Sequence, residues 1–364
     1  MPLFMDRHDD PNITPERGAE AHRADIRLQD HYGCKFRTYW LDQRRGHVFC
    51  LVEAPSREHV EEVHRNAHGE IPNQIIEVEE RLGELFLGRI TDPDHGPTAE
   101  DGAPLISESP FRTILSAEWL PSQAMPSPET RPDGPSARVL RDVLTHHGGQ
   151  EVQHATGKFL ASFASVSGAL ECAIEMQQMS PSGTGAHRNG RRGVSIGICT
   201  GSPVTQSHKF FGDMIRLAGR LCRVGRDGQI VVASSVRDAL TDALTGRERG
   251  SWLRLLSASE EGFLCRLFEV LEGESGSEAF SVERCCRRIG TSKAQLYRRV
   301  RSLTGLSPNA FLREYRLRQA LPMLSRREGN VAEIAFETGF GNASYFSKCF
   351  RARFGIRPSE YAKS

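Results

Sequence analysis

The sequence predicts a multidomain α+β chain, and three observations carry that reading. The first eighty or so residues alternate between short apolar extended runs and amphipathic helical runs in the order β-α-β-β-α-β. The final stretch holds two successive helix–glycine turn–helix patterns of period 3.6. Charge is segregated: from Ser275 onward there are 17 Lys and Arg against 7 Asp and Glu, a net of +10, while the whole 364-residue chain stands at +1. A chain this long accommodates roughly two to four domains. The expected divisions are 1–90, a linker at 91–110, 111–272 and 273–364.

In the first division, Leu3 to Asp6 is expected as a strand and Thr14 to Asp30 as a helix opened by Thr14-Pro15. Phe36 to Leu41 and Val48 to Glu53 pair across DQRRG, Ser56 to Ala67 is the second helix, and Gln74 to Val78 the last strand. This order is the ferredoxin-like arrangement. The hairpin strands are apolar on both faces, with Phe36 and Trp40 on one and Tyr39 and Leu41 on the other. Helices cover one face of such a sheet, so a second apolar face predicts sheet-to-sheet dimerisation.

Seven of the thirteen histidines lie here: His8, His22, His31, His47, His59, His64 and His68. His64 and His68 are four apart on the second helix and can face the same way. With His22 or Cys50 they make a candidate set for a borderline metal, nickel or zinc. The alternative is a set of solvated helix histidines. The stretches MPLFMDRHD, EAHRAD, YWLDQRRGHVFCLVEAPS and VHRNAHGEIPNQIIEVE resemble a small family of ferredoxin-like proteins described as nickel-binding, which implies a metal for this domain without assigning its ligands.

Residues 91–110, TDPDHGPTAEDGAPLISESP, read as a linker without period. Beyond it, FRTILSAEW, THHGGQEVQHATGKFLASFASVSGALECAIEMQ, RRGVSIGICTGSPV, FFGDMIRLAGRLC and GQIVVASSV resemble a class III adenylyl/guanylyl cyclase domain, extending to LCRLFEV. The resemblance implies an α/β domain. Catalysis in that family needs two metal-binding carboxylates, base-recognising side chains and an Asn/Arg pair. Here the first aspartate position is Glu118, followed by WLPSQ, and the T-G-D-G turn reads Ala155-Thr156-Gly157-Lys158. The base-recognising positions are Gln153 and Lys209, and the asparagine position is Arg216, so Arg220 alone matches. The expectation is a scaffold without cyclase activity. Its old cleft, left basic by Lys158, Lys209, Arg216 and Arg220, is a candidate nucleotide or anion site, the alternative being a dimerisation module.

At the C-terminus Ser281 caps a helix from Val282 to Ile289, Gly290 and Thr291 turn, and Ser292 with Gln295 forms a capping box. Leu296, Val300 and Leu303 point inward, leaving Ala294, Tyr297, Arg298 and Arg301 outside. Ser307-Pro308 opens a connecting helix that Pro322 is expected to kink or end near Ala320. Asn330 with Glu333 forms another capping box, Gly339 turns, and Asn342 caps a helix with Phe346, Phe350 and Phe354 inward. Ser344, Ser347, Lys348 and Arg351 share another face of it. This is the layout of helices that enter a DNA major groove. TGLSPNAFLREYRLRQA, NVAEIAFETGF and SYFSKCFRARFGIRPSEY closely resemble the double helix-turn-helix of AraC/XylS-family transcriptional regulators. That resemblance, with the helical faces, implies base contacts from Ala294, Tyr297, Arg298, Ser344, Ser347 and Lys348, and Arg301 and Arg351 are expected at phosphates. Family members have a full helix before the first motif, which GESGSEAF is too glycine-rich to supply, so the first half is expected to lean on the preceding domain.

The expected function is a cytoplasmic, sequence-specific DNA-binding regulator with double-stranded DNA as partner. A homodimer, a metal or small-molecule effector and no membrane complete the expectation; a nucleotide cyclase and a metal carrier are the alternatives. Nine scattered cysteines without a C-x-x-C pair fit reduced thiols, with Cys285 and Cys286 as core residues.

Overall fold

Alternating apolar side chains along the first strands fix which face of each strand is buried, and that pattern builds the first of two sheets. The computed structural model describes residues 1–93, 97–98, 104–118, 135–155, 158–179, 194–205, 207, 209–225, 229–237 and 252–363. The first sheet joins β1 (Leu3–Asp9), β2 (Lys35–Asp42), β3 (His47–Glu53) and β4 (Gln74–Glu77) in the antiparallel order β2-β3-β1-β4. Helices α1 (Pro15–Leu28), N-capped by Thr14, and α2 (Arg57–Ala67) connect its strands. The expected ferredoxin-like order is what forms.

Two expectations about this sheet fail. A register shift between Phe36 and Thr38 moves Phe36 to the side of Tyr39 and Leu41, away from Trp40, because a bulge inserts one residue and reverses the alternation upstream. The second apolar face is also not free for sheet-to-sheet dimerisation. Met5, Trp40, Phe49, Leu51 and Ile76 are buried in one cluster with Phe86 and Leu87 of α3 (Glu80–Leu87) and with the core of the second sheet. Phe86 stacks on Phe211 at 4.7 Å, and Arg112 donates to the Phe86 and Leu87 carbonyls, capping the end of α3. The linker is likewise laid down in its second half: Ile106 is buried, its N–H donates to Tyr39 Oη, and Leu41 N–H donates to the Glu108 carbonyl.

The second sheet contains β5 (Arg112–Glu118), β6 (Gly149–Ala155), β7 (Lys158–Phe163), β8 (Ser195–Gly201), β9 (Ile230–Val232) and β10 (Leu253–Leu255) in the order β10-β9-β8-β5-β7-β6. Its helices are α4 (Pro135–His146), α5 (Val166–Met179) and α6 (Gly212–Val224). Gly197 on β8 lets α6 lie close, since an added Cβ would sit 2.1 Å from the Ala218 carbonyl. WLPSQ, Thr156 and Gly157 lie outside the described residues.

The C-terminal helices begin earlier than the glycine-rich stretch suggests. Helix α7 (Ala258–Glu274), opened by a Ser257/Glu260 capping box, precedes α8 (Val282–Ile289), α9 (Lys293–Thr304), α10 (Pro308–Arg326), α11 (Val331–Glu337), α12 (Ala343–Phe354) and α13 (Pro358–Tyr361). The full helix before the first motif is therefore present, and LCRLFEV belongs to it. Pro322 does not end α10, which runs to Arg326, because Leu321 and Leu324 are buried beside Ile334 and Phe350 and outweigh one lost backbone bond. Cys285 and Cys286 are buried, and all nine cysteines are free thiols. Among the described residues no helix is long and apolar enough to cross a membrane.

Candidate metal centre and candidate nucleic-acid interface

On β1, Asp6 and His8 sit two apart and face the helices, where an amphipathic strand would normally place apolar residues. His64 comes from α2 and Asp25 from α1, both buried. His64 Nε2 lies 2.9 Å from Asp6 Oδ2, and Asp6 Oδ1 also accepts from the Cys50 N–H. On its other side, His64 Nδ1 is 3.1 Å from His68 Nε2 and 3.1 Å from Asp25 Oδ1, and His68 Nε2 is 3.2 Å from the same oxygen. Two groups of metal-ligating side chains thus share His64: Asp6, His8 and Cys50 on one side, Asp25 and His68 on the other.

The Asp25 side has the character of a cation site. Neither Asp25 oxygen has a hydrogen-bond partner, although Oδ1 is close to two imidazole nitrogens, so the contacts are off the hydrogen-bond direction. The mutual spacing matches the roughly 3.0–3.4 Å between ligands that bond lengths of about 2.0–2.1 Å require. Asp6 behaves as the outer carboxylate that fixes the ring of a ligating histidine. Without a metal the same carboxylates hold a proton: burial alone would lower the His64 pKa, but Asp6 and Asp25 outweigh it and raise it to about 10. Burial would push Asp6 upward, yet His64 and His8 hold it well below the usual carboxylate range.

The sequence reading put His64, His68 and Cys50 in one set; the structure places His68 beside His64 in the Asp25 group and Cys50 beside His64 in the Asp6 group. His22 lines the same cavity of about 270 Å³ but outside both groups, its Nε2 3.4 Å from Asp92. Asp6, His8 and Asp25 escaped the sequence reading. The signal for the first two was a polar pair at strand spacing among apolar neighbours; Asp25 carried none.

Of the four basic residues expected to line a cyclase-type cleft, Arg220 is buried in an ion pair and the other three are exposed. Arg220 is buried and its guanidinium donates to both Glu272 oxygens at 3.1 and 2.6 Å, tying α6 to α7. Arg216 pairs with Asp213 on its own helix, and Lys158 reaches Glu118 at 3.9 Å. Lys209 is exposed. Glu118, at the first aspartate position, is buried against Arg318 of α10 at 3.4 Å, so a side chain of the connecting helix supplies its counter-charge.

In the C-terminal helices the local signals hold. Ser292/Gln295 and Asn330/Glu333 form capping boxes, Asn342 accepts from Tyr345 N–H, and Gly290 and Gly339 have φ of +73° and +85°. On α9, Ala294, Gln295, Tyr297, Arg298 and Arg301 are exposed, with Gln295 engaged in its cap and Arg301 donating to Tyr297 Oη at 3.0 Å. On α12, Ser344, Lys348 and Arg351 are exposed and Ser347 half-buried. Residues 285–364 match a family described as a helix-turn-helix domain. The C-terminus is an AraC-type helix-turn-helix domain. Over 84 residues it is 37% identical to the transcriptional activator RhaS of Escherichia fergusonii, covering 23% of this chain and 30% of that protein. The chain spans 8% to 51% of the length of the curated relatives it matches.

Residues 4–78 match a family described as nickel responsive protein SCO4226-like. The solved SCO4226 of Streptomyces coelicolor is 36% identical over 21% of this chain and 94% of that one, with a TM-score of 0.20. An adenylate/guanylate cyclase/hydrolase of Silicibacter pomeroyi is 26% identical over 37% of this chain and 82% of that one, with a TM-score of 0.29. The AraC-type domain is thus on one chain with an SCO4226-like domain; its helix α10 meets the middle sheet at Glu118, and the preceding α7 is tied to α6 through Arg220.

Proposed function

We propose that this protein is a metal-responsive, sequence-specific transcriptional regulator in which the SCO4226-like domain holds a divalent transition metal and the AraC-type domain reads DNA. The observation that supports it is the convergence of Asp25, His64 and His68 on one point, in a chain that ends in two exposed recognition helices. Asp25 of α1 with His64 and His68 of the α2 end would hold a nickel or zinc ion, which would supply a cross-link between the two helices. Asp6 orients His64 for that role, and the buried Cys50 and His8 close the site from the sheet.

DNA sites selected from a random library, titrated with and without nickel and zinc, test the reading. Metal is expected to change affinity for the selected site, and His68→Ala is expected to remove the change while leaving binding of the metal-free protein intact. Affinity that is the same at every metal concentration overturns it.

The middle domain is proposed as a non-catalytic scaffold. Glu118 is neutralised by Arg318 and Lys158, and no carboxylate stands in the Ala155–Lys158 turn. Any magnesium- or manganese-dependent cyclic nucleotide product that Arg220→Ala abolishes overturns this part.

A further inference from the structure

The middle domain makes one more contribution at its junction with the recognition helices. A cavity of about 1040 Å³ opens beside α9 and is walled by Tyr297, Arg298 and Arg301 of α9, the flank of α12, the floor of α10, and the last turn of α6. Arg223 stands in that last turn, half-buried, with its guanidinium 5.9 Å over the Tyr315 ring. Glu314 is the one carboxylate among the described lining residues, and it is already paired with Arg318 at 2.9 Å and Arg353 at 2.5 Å. Arg223, Arg298, Arg301 and Arg313 line the cavity with no acidic side chain within ion-pair distance among the described residues. Four guanidinium groups around one open space repel one another unless an anion sits among them.

The side of α9 that lines this cavity is also its reading face, because Tyr297, Arg298 and Arg301 belong to both. A duplex that seats α9 in its major groove therefore lies along the α6 wall. Double-stranded DNA carries one charge per ~1.7 Å of axis, so its flanking backbone meets this wall as phosphate. We propose that Arg223, a residue of the middle domain, is a phosphate contact of the DNA complex. The middle domain thus contributes directly to the DNA interface through α6 as well as carrying the reading helices. This rests on the DNA-binding reading above. Arg223 positions the duplex and reads no base.

The test uses the full chain and a selected DNA site, with affinity measured by fluorescence anisotropy from about 50 to about 200 mM salt. Loss of one phosphate contact lowers the magnitude of the logarithmic salt slope by about 0.9, so the advantage of the parent over Arg223→Ala is expected to shrink about 3.5-fold across that range. The base preference is expected to be unchanged, and Arg223→Lys is expected to restore most of the slope because it keeps the charge. Circular dichroism of the free variants establishes that the fold is retained. Arg301→Ala serves as the internal reference. If it lowers the slope and Arg223→Ala does not, the proposal fails while DNA binding by α9 stands. If neither changes the slope, the placement of the duplex on this face fails and the proposal with it; if the parent selects no DNA site at all, the DNA-binding reading itself fails. Tighter DNA binding by Arg223→Ala would show that the wall obstructs the duplex, which overturns the proposal. So would ATP binding without DNA that Arg223→Ala removes while the DNA salt slope stays unchanged, since the cavity would then serve a small polyphosphate.

Discussion

Replacing Glu118 by Gln tests the buried ionic chain that joins the middle sheet to the C-terminal helices. The chain runs from Glu118 on β5 to Arg318 on α10 at 3.4 Å, on to Glu314 at 2.9 Å, and then to Arg353 on α12 at 2.5 Å. The side chains of Glu118 and Arg318 are 10% and 7% exposed, so solvent screens them little. Removing one member of a buried pair costs about 3–5 kcal/mol when the survivor is left alone. Glu118→Gln leaves Arg318 with Glu314, so the expected loss is that of one charged hydrogen bond, about 1.5–3 kcal/mol. Arg318→Met leaves Glu118 facing only Lys158 at 3.9 Å. Its expected cost is at the lower end of the ~3–5 kcal/mol range, about 3 kcal/mol, because Lys158 compensates Glu118 in part. Urea unfolding of both single variants and the double variant, at fixed salt, gives the coupling between them. A value of about 1–2 kcal/mol is expected, and it should persist at high salt because the pair is buried. Two single variants within about 0.5 kcal/mol of the parent, or a coupling near zero, would refute the claim that this contact holds the domains together.

Calorimetric titration with nickel is expected to lose its signal in His64→Ala and in His68→Ala, the less buried of the two, and to keep it in His22→Ala. Saturating metal at a hundredfold excess over Kd should stabilise the parent by about 2.7 kcal/mol, read as a raised thermal midpoint. Arg298→Ala is expected to relax base preference at its own positions at a cost of about 1–3 kcal/mol, whereas Arg351→Ala should weaken all sequences alike; site selection from random DNA separates the two. Gly339→Ala places a Cβ 2.4 Å from the Ser275 carbonyl at a φ of +85°, and should destabilise the C-terminal helices by roughly 2 kcal/mol or more in thermal unfolding.

What could be read from the sequence was what depends on near neighbours. The capping pairs at Ser292/Gln295 and Asn330/Glu333 act across three residues and formed as expected. So did the strand order of the first sheet, which follows from alternation and short connections. The bulge at Phe36–Thr38 has no such local mark, and it moved one aromatic to the opposite face. Pro322 is a strong local signal, yet burial of Leu321 and Leu324 overrode it. In the proposed metal site the i, i+4 pair His64 and His68 was readable, but their carboxylate partner Asp25 arrives from a different helix. His22 was diverted by Asp92, seventy residues away in the chain. Arg220 was expected in an open cleft because nothing nearby in sequence indicates that Glu272 will cover it.

Helix α7 has a practical consequence for how this protein can be cut. Residue 273, where composition places a boundary, falls inside the 17-residue helix. Phe268 of that helix packs edge-on to Phe311 at 5.9 Å and against Tyr315 at 6.0 Å, so it is part of the floor on which the first helix-turn-helix motif rests. A C-terminal fragment begun at 273 would expose those aromatic faces to water and would be expected to aggregate. One begun at Leu256, just ahead of the Ser257/Glu260 cap, keeps the floor but leaves Arg220 in the remaining piece without Glu272. Expression boundaries for the C-terminal helices therefore belong upstream of residue 257, and the part left behind needs its own replacement for Glu272.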